Sequence, residues 1–156
     1  MNHESYVSLE TAKMLKKAGF NWTVRSFYQE PLPGTSLADM FKHDPESKYE
    51  RHDMPISHTD WNNHRDTQFK EDRIYYSAPT LAVAQRWLRE EKNISVDAYG
   101  EWQGLAKLFT YGILILCPAH KPRRMWIGDD KNNITDFPTY EAAMEEGIVK
   151  CLKELI

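Results

Sequence analysis

Four of the six histidines in this chain fall between His43 and His64, and His52, His58 and His64 are evenly spaced. Imidazoles gathered on one scaffold could hold a zinc ion, with Asp60 or Asp66 completing the coordination sphere, which would make the chain a metal-dependent enzyme. Zinc ligands usually stand two to five residues apart or one helical turn apart, and the spacing here follows neither rule. Solvated histidines of a polar segment use the same residues. No metal site and no cofactor are therefore assigned, and His52, His58 and His64 remain the candidates for one.

The only compact basic run is His120, Lys121, Pro122, Arg123 and Arg124, beside Trp126. Cationic side chains next to an indole can grip a phosphate backbone and stack a base, so Lys121, Arg123, Arg124 and Trp126 form a candidate nucleic-acid site. Asp129 and Asp130 follow closely, and a solvated turn between strands would need no such function. Asp97 and Glu101 are placed to share the outer face of one strand, with Tyr99 between them and Tyr111 opposite as a possible shallow groove. Solvated strand charges account for them more simply. Neither Cys117 nor Cys151 has a basic neighbour to lower its pKa, no Gly-rich loop precedes a helix, and no serine sits in a nucleophile elbow.

The whole-chain balance narrows the field. With 156 residues, 41% apolar and 28% charged, the chain is one ordinary domain in size and globular in composition. A net charge of −3 offers no general attraction for polyanions. No apolar run approaches a membrane span, the opening residues lack the regions of a signal peptide, and two cysteines suit a reducing compartment. A cytoplasmic protein without membrane contact is expected.

The elements that must position these residues are marked by one helix-opening phrase written twice. Ala78-Pro79-Thr80-Leu81 and Phe137-Pro138-Thr139-Tyr140 each place a capping threonine after a proline. They predict helices over 81 to 92 and 140 to 155. Ser8 predicts a short first helix ending near Gly19. Alternation predicts strands over 22 to 28, 73 to 77 and 94 to 102, and an apolar strand over 108 to 117 with a further one at 125 to 127. Ala143, Gly147 and Cys151 stack at helical spacing and predict a low shoulder where the last helix lies close on the sheet. Residues 29 to 72 are rich in Pro, Asp, Glu, Lys and His and hold no steady period beyond a short helix near 36 to 42. They read as a long polar insert, with the composition of a flexible one, in a single domain of residues 1 to 156.

The order of helix, three strands and helix between residues 80 and 155 resembles the double-stranded RNA-binding domain. That function needs lysines at the start of the final helix, where this chain has Glu141, Glu145 and Glu146, so the topology is kept and the function is not. The phrases Tyr6-Val7-Ser8-Leu9-Glu10-Thr11-Ala12-Lys13-Met14-Leu15-Lys16-Lys17-Ala18-Gly19-Phe20, Tyr76-Ser77-Ala78-Pro79-Thr80, Gln85-Arg86-Trp87-Leu88-Arg89-Glu90 and Thr139-Tyr140-Glu141-Ala142-Ala143 resemble a group of short uncharacterised proteins of gut anaerobic bacteria, often of prophage or mobile-element surroundings. The resemblance skips residues 29 to 72. It implies a phage-like context and a small α+β fold, and brings no catalytic or binding residue with it.

The expected fold is α+β, an antiparallel sheet of about three to five strands with helices mainly on one face. The expected function is that of a non-enzymatic accessory protein that binds another protein, or itself, through its sheet edge, exposed aromatics or insert. The alternatives are nucleic-acid binding at Arg123, Arg124 and Trp126, and metal-dependent catalysis on the histidine-rich insert.

Overall fold

The computed structural model describes residues 4 to 65, 72 to 115, 123 to 125 and 137 to 156. Two compact units make up the chain, one of Tyr6–Pro79 and one of Thr80–Ile156 with the residues before Tyr6. The class is α+β, as expected, and the described strands divide between two three-stranded antiparallel sheets, one in each unit.

In the unit of Tyr6–Pro79, helix α1 (Leu9–Lys17) starts at Ser8, whose hydroxyl accepts from Thr11 N at 3.3 Å. It ends in a Schellman motif. Gly19, at φ +90°, donates to the Lys16 carbonyl, and Phe20 donates to that of Leu15, so two otherwise orphaned acceptors are satisfied. Leu9, Ala12 and Leu15 bury the helix's apolar stripe beside Val7 and Phe20.

Strand β1 (Ser26–Pro31) is central, with β2 (His52–Asp53) on one side and β3 (Arg73–Ser77) on the other. It lies four residues further on than the alternation from Trp22 suggests. Val24 pairs only as an isolated bridge with Thr59. Pro31 is its last residue and stands opposite Arg73, a position where its missing N–H is tolerated. Leu32 N then continues the pairing to the Asp72 carbonyl at 2.8 Å.

The described part of residues 29 to 72 contains helix α2 (Ser36–His43), capped by Thr35, a 3-10 turn at Pro45–Tyr49, strand β2, and a second 3-10 turn at Trp61–Asn63. Helix α2 buries no residue, whereas Trp61 is part of the core with Phe27, Tyr28 and Tyr75.

In the other unit, helices α3 (Leu81–Lys92) and α4 (Tyr140–Leu155) begin as the repeated phrase predicts. Thr80 accepts from Val83 N at 3.2 Å and Thr139 from Ala142 N at 3.1 Å. Asn93 closes α3 in the left-handed conformation at φ 56°, and Arg86 pairs with Glu90 at 2.6 Å along the exposed face. Strands β4 (Ile94–Gln103) and β5 (Ala106–Ile115) form a ten-pair hairpin, with β6 (Arg123–Met125) on the far side of β5. Helix α4 packs on the face of the hairpin that carries Val96 and Tyr111, burying Ala143, Met144, Ile148, Cys151 and Leu152.

Candidate functional site

Two of the evenly spaced histidines meet aromatic rings. His52 stacks on Phe27, its register partner across β2 and β1, with ring centroids 5.3 Å apart. His64 closes the turn that begins at Trp61 and meets the Trp61 and Tyr75 rings edge-on at 5.1 and 5.2 Å. Phe27, Trp61 and Tyr75 touch one another at 4.3 to 5.6 Å, so both imidazoles border one aromatic cluster. His58 is exposed. Among the described residues no three His, Cys, Asp or Glu side chains come together in a group that could hold a metal ion.

Beside this cluster lies a cavity of about 260 Å³ lined by Lys16, Leu32, His64, Arg65, Arg73, Ile74 and Tyr75. Three separate stretches of sequence meet there: the end of α1, the turn after Trp61, and the start of β3 with Leu32 across from it. Arg73 is held by Asp72 at 2.8 Å and by the Gln29 amide oxygen at 3.1 Å. Lys16 donates to the Tyr75 carbonyl at 2.9 Å and lies 5.1 Å from the centre of the Tyr76 ring. Burial pulls the Lys16 pKa below its ordinary value, opposed by the field of Asp60. Asp60 accepts from the Asn63 amide at 2.6 Å through Oδ2, while its buried Oδ1 has no partner among the described residues.

Ser26 donates a short hydrogen bond to Asp53, but this serine is not poised for nucleophilic chemistry. Arg51 grips both oxygens of Asp53 at 3.0 and 3.2 Å and lies over the Tyr6 ring at 3.5 Å. The guanidinium, with the Ser26 hydroxyl, holds the Asp53 carboxyl below the usual carboxylate range, which makes it a poor base for the serine proton. The group ties β1 to β2.

A different surface stands out in the second unit. The β4–β5 hairpin turns through Gly104 and Leu105, with Gly104 at φ +62°, as a two-residue turn with glycine first requires. Its apolar face starts with Ile94 and Val96, both buried, and runs on past the cover of α4. Phe109 meets Tyr140, the first residue of α4, edge-on at 6.4 Å. Beyond it Trp102 is 71% exposed and Leu105 wholly exposed. Trp102 lies on the same face as Ile94 and Val96, but no helix covers it among the described residues.

The candidate nucleic-acid site has its middle on β6, where Arg123 stands opposite Ile115 and Arg124 opposite Leu114. Lys121 and Trp126, like Cys117, lie outside the described residues. The imagined groove of Tyr99 and Tyr111 does not form, because the register sets Tyr111 opposite Ala98 and buries it against α4, while Tyr99 faces Thr110. Asp97 is exposed on strand β4. Cys151 is buried and unpaired, its thiol pushed up to about 12 by burial.

Sequence reasoning missed the cavity, since its lining comes from distant stretches with no local motif. It also missed the hairpin turn, for which Gln103-Gly104-Leu105 between two alternating runs was the signal. Among the described residues no helix is long and apolar enough to cross a membrane. Comparison with protein families, curated proteins and solved structures returns no match.

Proposed function

We propose that this chain is a non-enzymatic accessory protein that binds another protein chain, or a second copy of itself, through the free end of its β4–β5 hairpin. The phage-like or mobile-element setting belongs to the same reading and rests on the wording of the sequence. The observation that carries the proposal is Trp102, 71% exposed on a strand face that α4 covers further along. An indole left in water forgoes a large burial term, and tryptophan is among the residues that dominate the energetics of protein interfaces. Leu105 adds an apolar contact at the turn.

The test compares wild type with the Trp102→Ser/Leu105→Ser double variant, by sedimentation velocity and by capture from a lysate of a gut anaerobe. Both side chains are exposed, so the variant should keep the wild-type circular dichroism and melting temperature. A self-associated form, or a stoichiometric partner, is expected with wild type and should be lost in the variant. Identical sedimentation and identical captured proteins would overturn the reading.

A further inference from the structure

We infer that the cavity beside the Trp61 cluster is a binding site for a small organic phosphate, its phosphoryl group held by Lys16, Arg65 and His64 and its carbon body laid against Leu32, Ile74 and Tyr75. The inference goes beyond the hairpin reading and is independent of it.

Charge is the first argument. Of the cationic groups that line the cavity, Arg73 is neutralised by Asp72. Among the described residues neither Lys16 nor Arg65 has a carboxylate within ion-pairing distance, in a chain whose net charge is −3. Asp60 reaches Lys16 only through its field. Two cations with no ion-paired carboxylate among the described residues, beside an imidazole, match the charge of a phosphate monoester, about −1.5 to −2 near neutral pH, better than that of a monocarboxylate.

Pre-organisation is the second. The Lys16 ammonium is fixed by the Tyr75 carbonyl at 2.9 Å and by the Tyr76 ring, so little side-chain freedom remains to be lost on binding. His64 is held edge-on by Trp61 and Tyr75. Size is the third, because about 260 Å³ lies at the small end of ligand cavities and suits a phosphate with a short carbon body.

The experiment is calorimetric titration of the full chain with phenyl phosphate, inorganic phosphate and benzoate at constant ionic strength. Phenyl phosphate should bind saturably at one site per chain, at least tenfold more tightly than either of the others. Arg65→Ala and Lys16→Met should each weaken it at least tenfold. Arg65 is exposed, so its variant should leave the fold intact even if removal of Lys16 loosens the end of α1. Absence of saturable binding at millimolar phenyl phosphate, binding unchanged in Arg65→Ala, or equal affinity for all three probes would each overturn the assignment. The Trp102→Ser/Leu105→Ser variant should bind phenyl phosphate as wild type does, which separates failure of this inference from failure of the hairpin proposal.

Discussion

Gly147 of α4 lies so close to Val96 of β4 that a Cβ built on the glycine would stand 2.6 Å from Val96 Cγ1 and 3.1 Å from the Tyr111 ring. Ordinary helix propensity favours alanine over glycine by about 1 kcal/mol. Here the sign reverses, because Val96 is fully buried and its branched side chain is stiff. Gly147→Ala should destabilise by about 1–3 kcal/mol, the usual cost of overpacking, and Gly147→Leu by more. Urea melts check this. Pairing Gly147→Ala with Val96→Ala should recover part of the loss; a strictly additive double variant would mean the close approach is not the cause.

Gly100 looks similar and should behave differently. A Cβ there would meet Lys107 Cε at 2.7 Å, the far end of a flexible chain on an exposed part of the hairpin. Gly100→Ala should therefore shift stability by less than about 0.5 kcal/mol, the scale of ordinary surface changes. A loss as large as that at Gly147 would show that the Lys107 stem, or the Phe109 ring 3.2 Å from the same Cβ, cannot give way.

Trp61 should be the costliest truncation in the polar stretch. Trp61→Ala is expected to lose about 3–5 kcal/mol as a buried aromatic. Trp61→Phe should lose far less. The indole N–H donates to the Val24 carbonyl at 2.9 Å, but that carbonyl also accepts from Thr59 N at 3.0 Å and stays satisfied without it. Equal losses in the two variants would remove the argument from the hydrogen bond.

Trp61 also shows what could and could not be read in advance. The helices announced themselves through local chemistry, Ser8, Thr80 and Thr139 as caps and Gly19 as a left-handed end, because a cap is decided within a few residues. The Gly147 shoulder was legible for the same reason, as three small residues on one helical face. Apart from α2, expected near 36 to 42 and found at Ser36–His43, the described part of residues 29 to 72 was not, since its order depends on partners far along the chain: Trp61 on Phe27 and Tyr75, and His52 across from Phe27. Even spacing of His52, His58 and His64 carried no geometry, because His52 and His64 border the aromatic cluster while both His58 and His64 are exposed. The cavity was invisible in sequence for a like reason, its cations being supplied by residues 16, 65 and 73 with no shared motif.

Asp53 should make stability fall in acid. Its carboxyl is held below its ordinary pKa, chiefly by the Arg51 hydrogen bonds and then by the Ser26 hydroxyl, against the opposing effect of burial. A folded-state pKa below the unfolded value means the contribution is complete above about pH 4, the unfolded carboxylate value. It is lost as pH falls through the folded one. Asp53→Asn should thus melt lower than wild type at pH 7, and the gap should close towards pH 3. A gap that stays constant across that range would assign the effect to packing instead of charge.

Cys151 offers a direct reading of how tightly α4 is seated. Burial pushes its thiol up to about 12, so at pH 8 it is protonated, shielded by the sheet and a poor nucleophile. In a Cys117→Ser background, a disulfide-exchange reagent should leave the native protein unlabelled over hours and label one thiol at once in denaturant. Any slow native labelling then passes through an opened state and measures the free energy of lifting the helix. Cys151 stands one turn beyond Gly147 on the same buried face, so Gly147→Ala should speed that labelling by about tenfold for each 1.4 kcal/mol it destabilises. Labelling that is fast in the native wild type would place the thiol at the surface and refute the packing from which the Gly147 prediction was drawn.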